Sequence, residues 1–132
     1  MNMILCLDNR GGMSFFGRRQ SMDRVLRKKA LDLAGNELWM DTYSAGQFQE
    51  ESPWIRVTGD PLTEVPEEGW YFLELGDPDA LLPHVDKLAV FRWNRDYPSD
   101  RRFSTDDFLC PILREDFPGN SHETITLEVY QL

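Results

Sequence analysis

Cysteine, histidine and long apolar runs are scarce in this sequence of 132 residues, which contains two cysteines and two histidines. So few cysteines exclude a disulfide-rich scaffold, and no apolar run reaches the roughly 20 residues of a transmembrane helix. No signal peptide is recognisable at the N-terminus. We therefore expect a cytoplasmic protein in which Cys6 and Cys110 are reduced core thiols, with a disulfide between them as the alternative.

Positive charge is also in short supply, because 23 acidic residues oppose 14 basic ones and the net charge is −9. Such a surface opposes binding to nucleic acid or to an anionic membrane. Eleven of the basic residues are arginine, and seven basic residues lie between positions 10 and 29. Arg27, Lys28 and Lys29 are typical of a solvated helix face. Arg18 and Arg19 precede that helix, and they suit contacts with a ligand's carboxylate or phosphate or with the protein's own acids.

A length of 132 residues and an apolar content of 41% fit one globular domain with its own core. The run Met-Ile-Leu-Cys-Leu at residues 3–7 predicts a strand buried on both faces, followed by a turn that contains Gly11 and Gly12. Ser21 is the predicted N-cap of an amphipathic helix whose apolar residues share one face. Gly35 is positioned to end that helix.

Strands and helices alternate along the rest of the chain. Apolar or β-branched segments predict strands over residues 37–40, 54–58, 70–75 and 87–93, and short helices over residues 42–48 and 79–85. Residues 124–130 alternate between polar and apolar side chains, which is typical of a half-buried antiparallel strand. This order favours a three-layer α/β fold with one mostly parallel sheet, residues 3–7 at its centre and antiparallel C-terminal strands.

Polar residues follow the predicted ends of four strands, in segments 8–20, 41–44, 76–79 and 94–102. Ligands of open α/β sheets bind beyond the carboxyl ends of the strands, so we expect these segments to meet at one cleft. Arg18 or Arg19 should then lie within salt-bridge or water-bridged reach of Asp8, Asp23 or residues 94–102. No catalytic residue is assigned. The candidate ligand-binding residues are Asp8, Arg18, Arg19, Asp23, Asp41, Arg92, Asn94 and Arg95.

Several of these features resemble the dihydrofolate reductase family. Leu-Cys-Leu-Asp at residues 5–8, the following glycine pair and Asp23 are similar to that family's first strand, active-site loop and substrate-binding acid. Similar passages recur later, as Leu-Trp-Met at 38–40, Leu-Leu-Pro and Lys-Leu-Ala-Val within 81–90, and Asn-Ser-His at 120–122. The resemblance implies a dihydrofolate reductase-like fold and a ligand contact for Asp23. The alternative for Asp23 is a carboxylate that interacts with the helix dipole.

The sequence departs from that family where the family binds its dinucleotide cofactor. The family holds the phosphates with a Gly-Arg-x-Thr-like segment after its second strand and with a glycine pair before a later helix. This chain has Asp41-Thr42-Tyr43 at the first place and Gly76-Asp77-Pro78-Asp79 at the second. Carboxylates at a helix N-terminus take up the field that would attract a phosphate. We therefore expect no useful binding of NADPH and assign no cofactor.

Two further segments resemble a bacterial family sometimes labelled ribonuclease Z. They are Arg-Arg-Gln-Ser-x-Asp at residues 18–23 and Arg-Trp-Asn-Arg-x-Tyr-Pro at residues 92–98. The His-rich zinc motif of true ribonuclease Z is absent from this sequence. The resemblance therefore implies no zinc-dependent nuclease chemistry.

The remaining reactive residue types have ordinary interpretations. His84 and His122 have no Cys or Asp partner at ligand or triad spacing, so we interpret them as surface or packing residues. All four tryptophans lie in predicted strands and are expected in the core: Trp39, Trp54, Trp70 and Trp93. Four strand-end aspartates are either Mg²⁺ ligands or, as we favour, caps and turn formers: Asp8, Asp41, Asp77 and Asp79.

Two hypotheses of different class follow. The first is a non-catalytic protein on a divergent dihydrofolate reductase-like fold, which binds a small anionic ligand or a protein partner. The alternative is an enzyme, either a divergent NADPH-dependent reductase or a carboxylate- and Mg²⁺-dependent hydrolase. The missing phosphate-binding glycines and the lack of a recognisable catalytic triad favour the first.

Overall fold

Ten strands and four helices make up the computed structural model, which describes residues 1–132. Two short 3-10 helices cover Ser52–Trp54 and Leu82–His84. No helix is both long and apolar enough to cross a membrane. In chain order the elements are β1 (Asn2–Leu7), β2 (Gly12–Phe15), β3 (Arg18–Arg19), α1 (Arg24–Leu33), β4 (Leu38–Met40), α2 (Thr42–Ala45), β5 (Ile55–Val57), α3 (Pro61–Glu64), β6 (Trp70–Phe72), α4 (Pro78–Leu81), β7 (Lys87–Arg92), β8 (Arg101–Arg102), β9 (Leu113–Phe117) and β10 (Ile125–Gln131).

The central sheet has seven strands in the order β5-β4-β6-β1-β7-β10-β9. The five strands from β5 to β7 pair in parallel, and β10 is antiparallel to both of its neighbours. The prediction of a mostly parallel sheet with β1 at its centre and antiparallel C-terminal strands is therefore confirmed.

Two hydrophobic cores cover the two faces of this sheet, which gives three layers. Side chains alternate along a strand, so Ile4 joins one core while Met3 and Leu5 join the other. The first core contains Leu26 and Ala30 of α1. Because both faces of β1 are covered, its residues form a continuous apolar run, as the sequence predicted.

A second, smaller sheet contradicts the prediction of a single sheet. β2 pairs with β3 on one side and with β8 on the other, so part of the predicted loop is a β-hairpin. Strands of two to four residues are too short to show an alternating pattern. β9 is a further strand that the sequence did not predict, and its Leu-Arg-Glu-Asp-Phe sequence is mostly exposed because it forms an edge.

Local predictions were corrected at three other places. The N-cap of α1 is Asp23 and not Ser21, since the Asp23 carboxylate accepts hydrogen bonds from the N–H groups of Val25 and Leu26. Trp54 lies in a 3-10 helix and is 44% exposed, so it is not a core residue. Cys110 is exposed and not a core thiol, and neither cysteine forms a disulfide.

Candidate functional site

The ends of the parallel strands carry the polar side chains of the candidate site. Asp8 follows β1, Asp41 follows β4, Glu74 lies two residues beyond β6, and Asn94 lies two residues beyond β7. The strands are parallel neighbours, so these ends lie along the same edge of the sheet. Three networks of contacts engage Asp8, Arg19 and Asp23, and the other predicted residues contact further parts of the protein.

Asp8 is fully buried and acts as a clamp between two loops. Its carboxylate accepts hydrogen bonds from the N–H groups of Arg10 and Gly12 at 2.8 Å, from Tyr97 N–H at 3.2 Å and from Gln20 Nε2 at 3.1 Å. Burial by itself would raise the Asp8 pKa, but these hydrogen bonds lower it below its usual value. The carboxylate is therefore ionised and fully engaged by the protein.

Gly12 fits this clamp because it has no side chain. A Cβ atom at this position would lie 2.7 Å from Asp8 Oδ2 and 2.7 Å from Gln20 Nε2. The backbone thus approaches the carboxylate more closely than any other residue would allow.

Arg19 and Glu74 form a bidentate salt bridge beyond the ends of β4 and β6. Arg19 Nε lies 3.0 Å from Glu74 Oε2 and Arg19 Nη2 lies 3.1 Å from Glu74 Oε1. Gln47 Nε2 donates to the same carboxylate at 2.8 Å, and the guanidinium lies 4.3 Å from the centre of the Tyr43 ring. The Arg19 and Glu74 side chains are 19% and 7% exposed, so the pair is mostly shielded from water.

Neither Arg18 nor Arg19 forms a direct hydrogen bond or salt bridge with Asp8, Asp23 or residues 94–102, the partners that the sequence predicted. Arg19 binds Glu74, which was not among the candidates, and Arg18 is exposed and forms no salt bridge. Neighbouring residues of a strand point to opposite faces, so only one of the two arginines can point toward the sheet edge. The signal that could have identified Glu74 is its position, two residues beyond the buried strand β6.

A third network joins Ser21, Asp23, Tyr97 and His122. His122 Nδ1 lies 3.0 Å from Asp23 Oδ2, while His122 Nε2 lies 2.8 Å from the Tyr97 hydroxyl and 3.2 Å from Ser21 Oγ. The imidazole stacks on Trp93 with ring centres 4.5 Å apart, and the His122 side chain is 1% exposed. His122 is thus a buried centre of hydrogen bonding, which the sequence interpretation missed.

The Asp23 carboxylate determines which nitrogen of His122 carries the proton in this network. Besides His122 and its two cap bonds in α1, this carboxylate accepts hydrogen bonds from Asn120 N–H, Ser121 N–H and Ser121 Oγ. Burial would raise the Asp23 pKa, but these hydrogen bonds hold it far below its usual value. An ionised carboxylate accepts a proton from Nδ1, which leaves Nε2 with one lone pair to accept a hydrogen bond from the Tyr97 hydroxyl at 2.8 Å or from the Ser21 hydroxyl at 3.2 Å.

The remaining predicted residues hold other parts of the structure together. Arg92 Nε contacts Glu128 Oε1 at 2.5 Å, and Arg92 Nη2 donates to Thr105 at 2.8 Å. Asn94 donates to Thr124 O and Thr126 Oγ1, Arg95 donates to Ser121 O, and Asp41 caps α2 by accepting from Ser44 N–H at 2.8 Å.

Open space lies beside these contacts and not among them. A depression of about 400 Å³ is lined by Trp93, Asn94, Arg95, Glu123 and Thr124, and a second of about 450 Å³ includes Arg92. None of the five main cavities is lined by Asp8, Arg18, Arg19, Asp23 or Asp41. Among the candidate residues, only Arg92, Asn94 and Arg95 therefore line one of these five cavities.

The aspartates named for a Mg²⁺ site do not come together. No three His, Cys, Asp or Glu side chains are grouped so as to hold a metal ion. Asp41 and Asp77 are helix caps instead, and Asp8 is the clamp described above. The carboxylate- and Mg²⁺-dependent hydrolase thus has no ligand set in this structure.

Comparison with known proteins bears on the fold. No family model and no curated protein matches the chain. Among solved structures, dihydrofolate reductase from Enterococcus faecalis, complexed with NADP(H) and RAB-propyl, is similar to it with a TM-score of 0.63. The chain has a dihydrofolate reductase-like fold. The match covers 98% of this chain and 94% of the reductase at 13% sequence identity, a level that shows the fold alone.

The fold that the first sequence resemblance implied is thus confirmed, while the ligand contact that it implied for Asp23 stays a prediction. The resemblance to the family labelled ribonuclease Z also stays a prediction.

Proposed function

We propose that this chain is a cytoplasmic binding or interaction protein that has the dihydrofolate reductase-like fold without NADPH-dependent chemistry. Its partner is a small anionic ligand or a protein, and not a nucleic acid or a membrane. One observation carries the proposal: the Arg19–Glu74 salt bridge occupies the carboxyl ends of β4 and β6. Those strand ends are where an open α/β sheet otherwise binds its ligand.

The N-termini of α2 and α4, where the phosphates of a dinucleotide would be expected to bind, support the same conclusion. Asp41 Oδ1 accepts the Ser44 N–H at the start of α2, and Asp77 Oδ1 accepts the Asp79 N–H at 3.0 Å at the start of α4. A phosphate at either place would meet a carboxylate. Two unit charges about 4 Å apart repel by roughly 1 kcal/mol in water and by several times more in a partly dry cleft.

A dinucleotide that displaced the Arg19–Glu74 pair would lose binding free energy in a second way. Breaking a buried ion pair leaves an uncompensated charge and costs about 3–5 kcal/mol. Each 1.4 kcal/mol is a tenfold change in affinity, so this step alone would weaken dinucleotide binding by a factor of about 10² to 10^3.5.

A thermal-shift panel with NADPH, folate and Mg²⁺ tests the proposal. A ligand present at 100 times its dissociation constant stabilises a protein by about 2.7 kcal/mol, which would raise the melting temperature by several degrees. We expect no such rise with 1 mM NADPH or folate. A rise with NADPH would contradict the proposal and favour the divergent reductase instead.

One observation favours a second candidate, an enzyme of a different kind. Ser21 Oγ, His122 Nε2, His122 Nδ1 and Asp23 Oδ2 follow the order of a nucleophile, base and orienting carboxylate, at 3.2 and 3.0 Å. In an acyl transfer, His122 would take the Ser21 proton while the serine oxygen attacks an ester carbonyl, and would return that proton to the alcohol that leaves when the ester C–O bond breaks. Tyr97 weakens this candidate, because its hydroxyl lies closer to Nε2 at 2.8 Å.

Esterase assays decide on that candidate. The binding-protein proposal predicts that p-nitrophenyl acetate hydrolysis is the same for the wild type and Ser21→Ala, and that a fluorophosphonate probe does not label Ser21. Tyr97→Phe is the informative control, since it removes the competing hydroxyl from Nε2. Labelling of Ser21 that strengthens in Tyr97→Phe would establish the enzyme.

A further inference from the structure

The tip of the β2–β3 hairpin has an unusual turn. Phe16 and Gly17 connect the two strands with φ values of +51° and +66°. Positive φ at both central residues is the pattern of a type I′ turn, for which Asn-Gly and Asp-Gly are the preferred sequences. A phenylalanine is strained in this region of backbone conformation.

Burial does not compensate for this strain. The Phe16 side chain is 78% exposed, and the neighbouring Phe15 is 36% exposed. Their rings stack on each other with centres 4.1 Å apart, and neither belongs to a hydrophobic core. The Phe16 N–H donates to Asp100 Oδ2 at 3.1 Å, a backbone contact that any residue could make. Apart from the stacking on Phe15, the fold therefore gains no packing from an aromatic residue at this position.

The charge on this small sheet is opposite to that of the whole chain. Arg18 lies opposite Phe15 on β3, while Arg101 and Arg102 of the neighbouring strand β8 lie opposite Ser14 and Gly12, behind the tip. All three arginines are exposed and none forms a salt bridge, although the chain carries a net charge of −9. The only nearby acid identified by contact is Asp100.

We propose that Phe15, Phe16, Arg18, Arg101 and Arg102 form a docking tip for an acidic protein or peptide that carries an apolar pocket. The inference rests on the proposed binding function and names the partner's chemistry. The two rings supply rigid apolar area and the arginines supply complementary charge, which are the residue types that dominate protein interfaces. A nucleic acid fits less well, because its long phosphate backbone would also approach the acidic remainder of the chain.

Selection from a random dodecapeptide phage library tests the docking tip on the full-length protein, with counter-selection on Phe16→Asn. We expect the selected peptides to be acidic and to contain aromatic or aliphatic residues. The dissociation constant of one such synthetic peptide is then measured by fluorescence anisotropy. We expect Phe16→Asn to weaken binding about 30-fold, the value for a hot spot of ~2 kcal/mol at 1.4 kcal/mol per tenfold.

Two controls separate docking from folding. Phe16→Asn creates Asn-Gly at the turn, so its melting temperature should equal or exceed that of the wild type while binding falls. Leu62→Asn, at another exposed apolar residue, and Arg56→Glu, at another exposed arginine, should leave peptide binding unchanged. Arg18→Glu with Arg101→Glu should weaken peptide binding much more at low salt than at high salt, because the charge attraction is screened at high salt.

Three outcomes would overturn the docking tip. They are selected peptides that are basic or neutral, peptides that bind Phe16→Asn as tightly as the wild type, and a library that yields no enriched peptide. Tighter binding of a single-stranded oligo(dT) than of the peptide would assign the tip to nucleic acid and would equally contradict the proposal. None of these outcomes affects the NADPH test, so failure of this inference is distinguishable from failure of the proposed function.

Discussion

Replacing Asp23 by asparagine perturbs the buried network while preserving the shape of the side chain. Asparagine caps a helix about as well as aspartate, so the loss of the α1 cap alone predicts almost no change in stability. The network predicts a large one. The new amide N–H₂ would face Ser121 N–H, Ser121 Oγ and His122 Nδ1, three groups that now hydrogen-bond to Asp23 Oδ2 at 2.9–3.1 Å.

The size of the stability loss depends on which of these three groups can find another hydrogen-bond partner. The Ser121 hydroxyl can rotate, and the imidazole can move its proton to Nε2 and donate to the Tyr97 oxygen. The Ser121 N–H can do neither, and an unsatisfied buried donor costs about 1–3 kcal/mol. The loss of charge-assisted hydrogen bonds adds about 1–2 kcal/mol. We therefore expect Asp23→Asn to lower the free energy of unfolding by about 3 kcal/mol.

Urea denaturation followed by tryptophan fluorescence measures this change, with Trp93 stacked on His122 as a local reporter. Asp77→Asn is the matched control, because Asp77 also caps a helix but is exposed and accepts only the Asp79 N–H. Its free energy of unfolding should stay within about 0.5 kcal/mol of the wild type. A loss below about 1 kcal/mol in Asp23→Asn would refute the reasoning, since the network would then contribute no more than an ordinary cap.

Three further predictions concern the clamp, the salt bridge and acid stability. Gly12→Ala should destabilise the protein by at least about 2 kcal/mol in urea, because its Cβ would lie 2.7 Å from Asp8 Oδ2; a neutral effect would contradict the clamp. Arg19→Ala should cost about 3–5 kcal/mol by leaving Glu74 buried and unpaired, whereas Arg18→Ala on the other strand face should cost less than about 0.5 kcal/mol; equal effects would contradict the assignment. The pKa values of Asp8 and Asp23 are lowered on folding, so both ionised carboxylates stabilise the folded state. This stabilisation is complete above the unfolded pKa of ~3.9 and is lost as the pH falls through the folded pKa values. Urea midpoints that stay constant below pH 4 would contradict this prediction.

The fold was predictable wherever burial leaves a long pattern in the sequence. β1 is covered on both faces and reads as a continuous apolar run, while β10 shows the alternation of a half-buried strand. The hairpin strands β2 and β3 are too short for any period to appear, and β9 carries charges because it lies at an edge.

The candidate site was less predictable because its contacts join residues that are far apart in sequence. Asp23 and His122 are separated by 99 positions and Arg19 and Glu74 by 55, so no local spacing reveals either pair. Asp8 and Asp23 were named as candidate ligand contacts, with a turn former for Asp8 and a helix-dipole carboxylate for Asp23 as the other interpretations, but neither was predicted to be a fully hydrogen-bonded carboxylate. Residue type indicated where the polar groups lie, while only the three-dimensional register of the strands determines their partners.

Titration with NADPH, followed by tryptophan fluorescence, tests the central claim most directly. The wild-type protein is titrated to about 1 mM NADPH, with N-acetyltryptophanamide as the control for absorption of the exciting light. The Arg19–Glu74 bridge and the carboxylates of Asp41 and Asp77 predict quenching that does not saturate and that matches the control. Saturable quenching with a dissociation constant in the low micromolar range or tighter would contradict the account and establish dinucleotide binding on this fold.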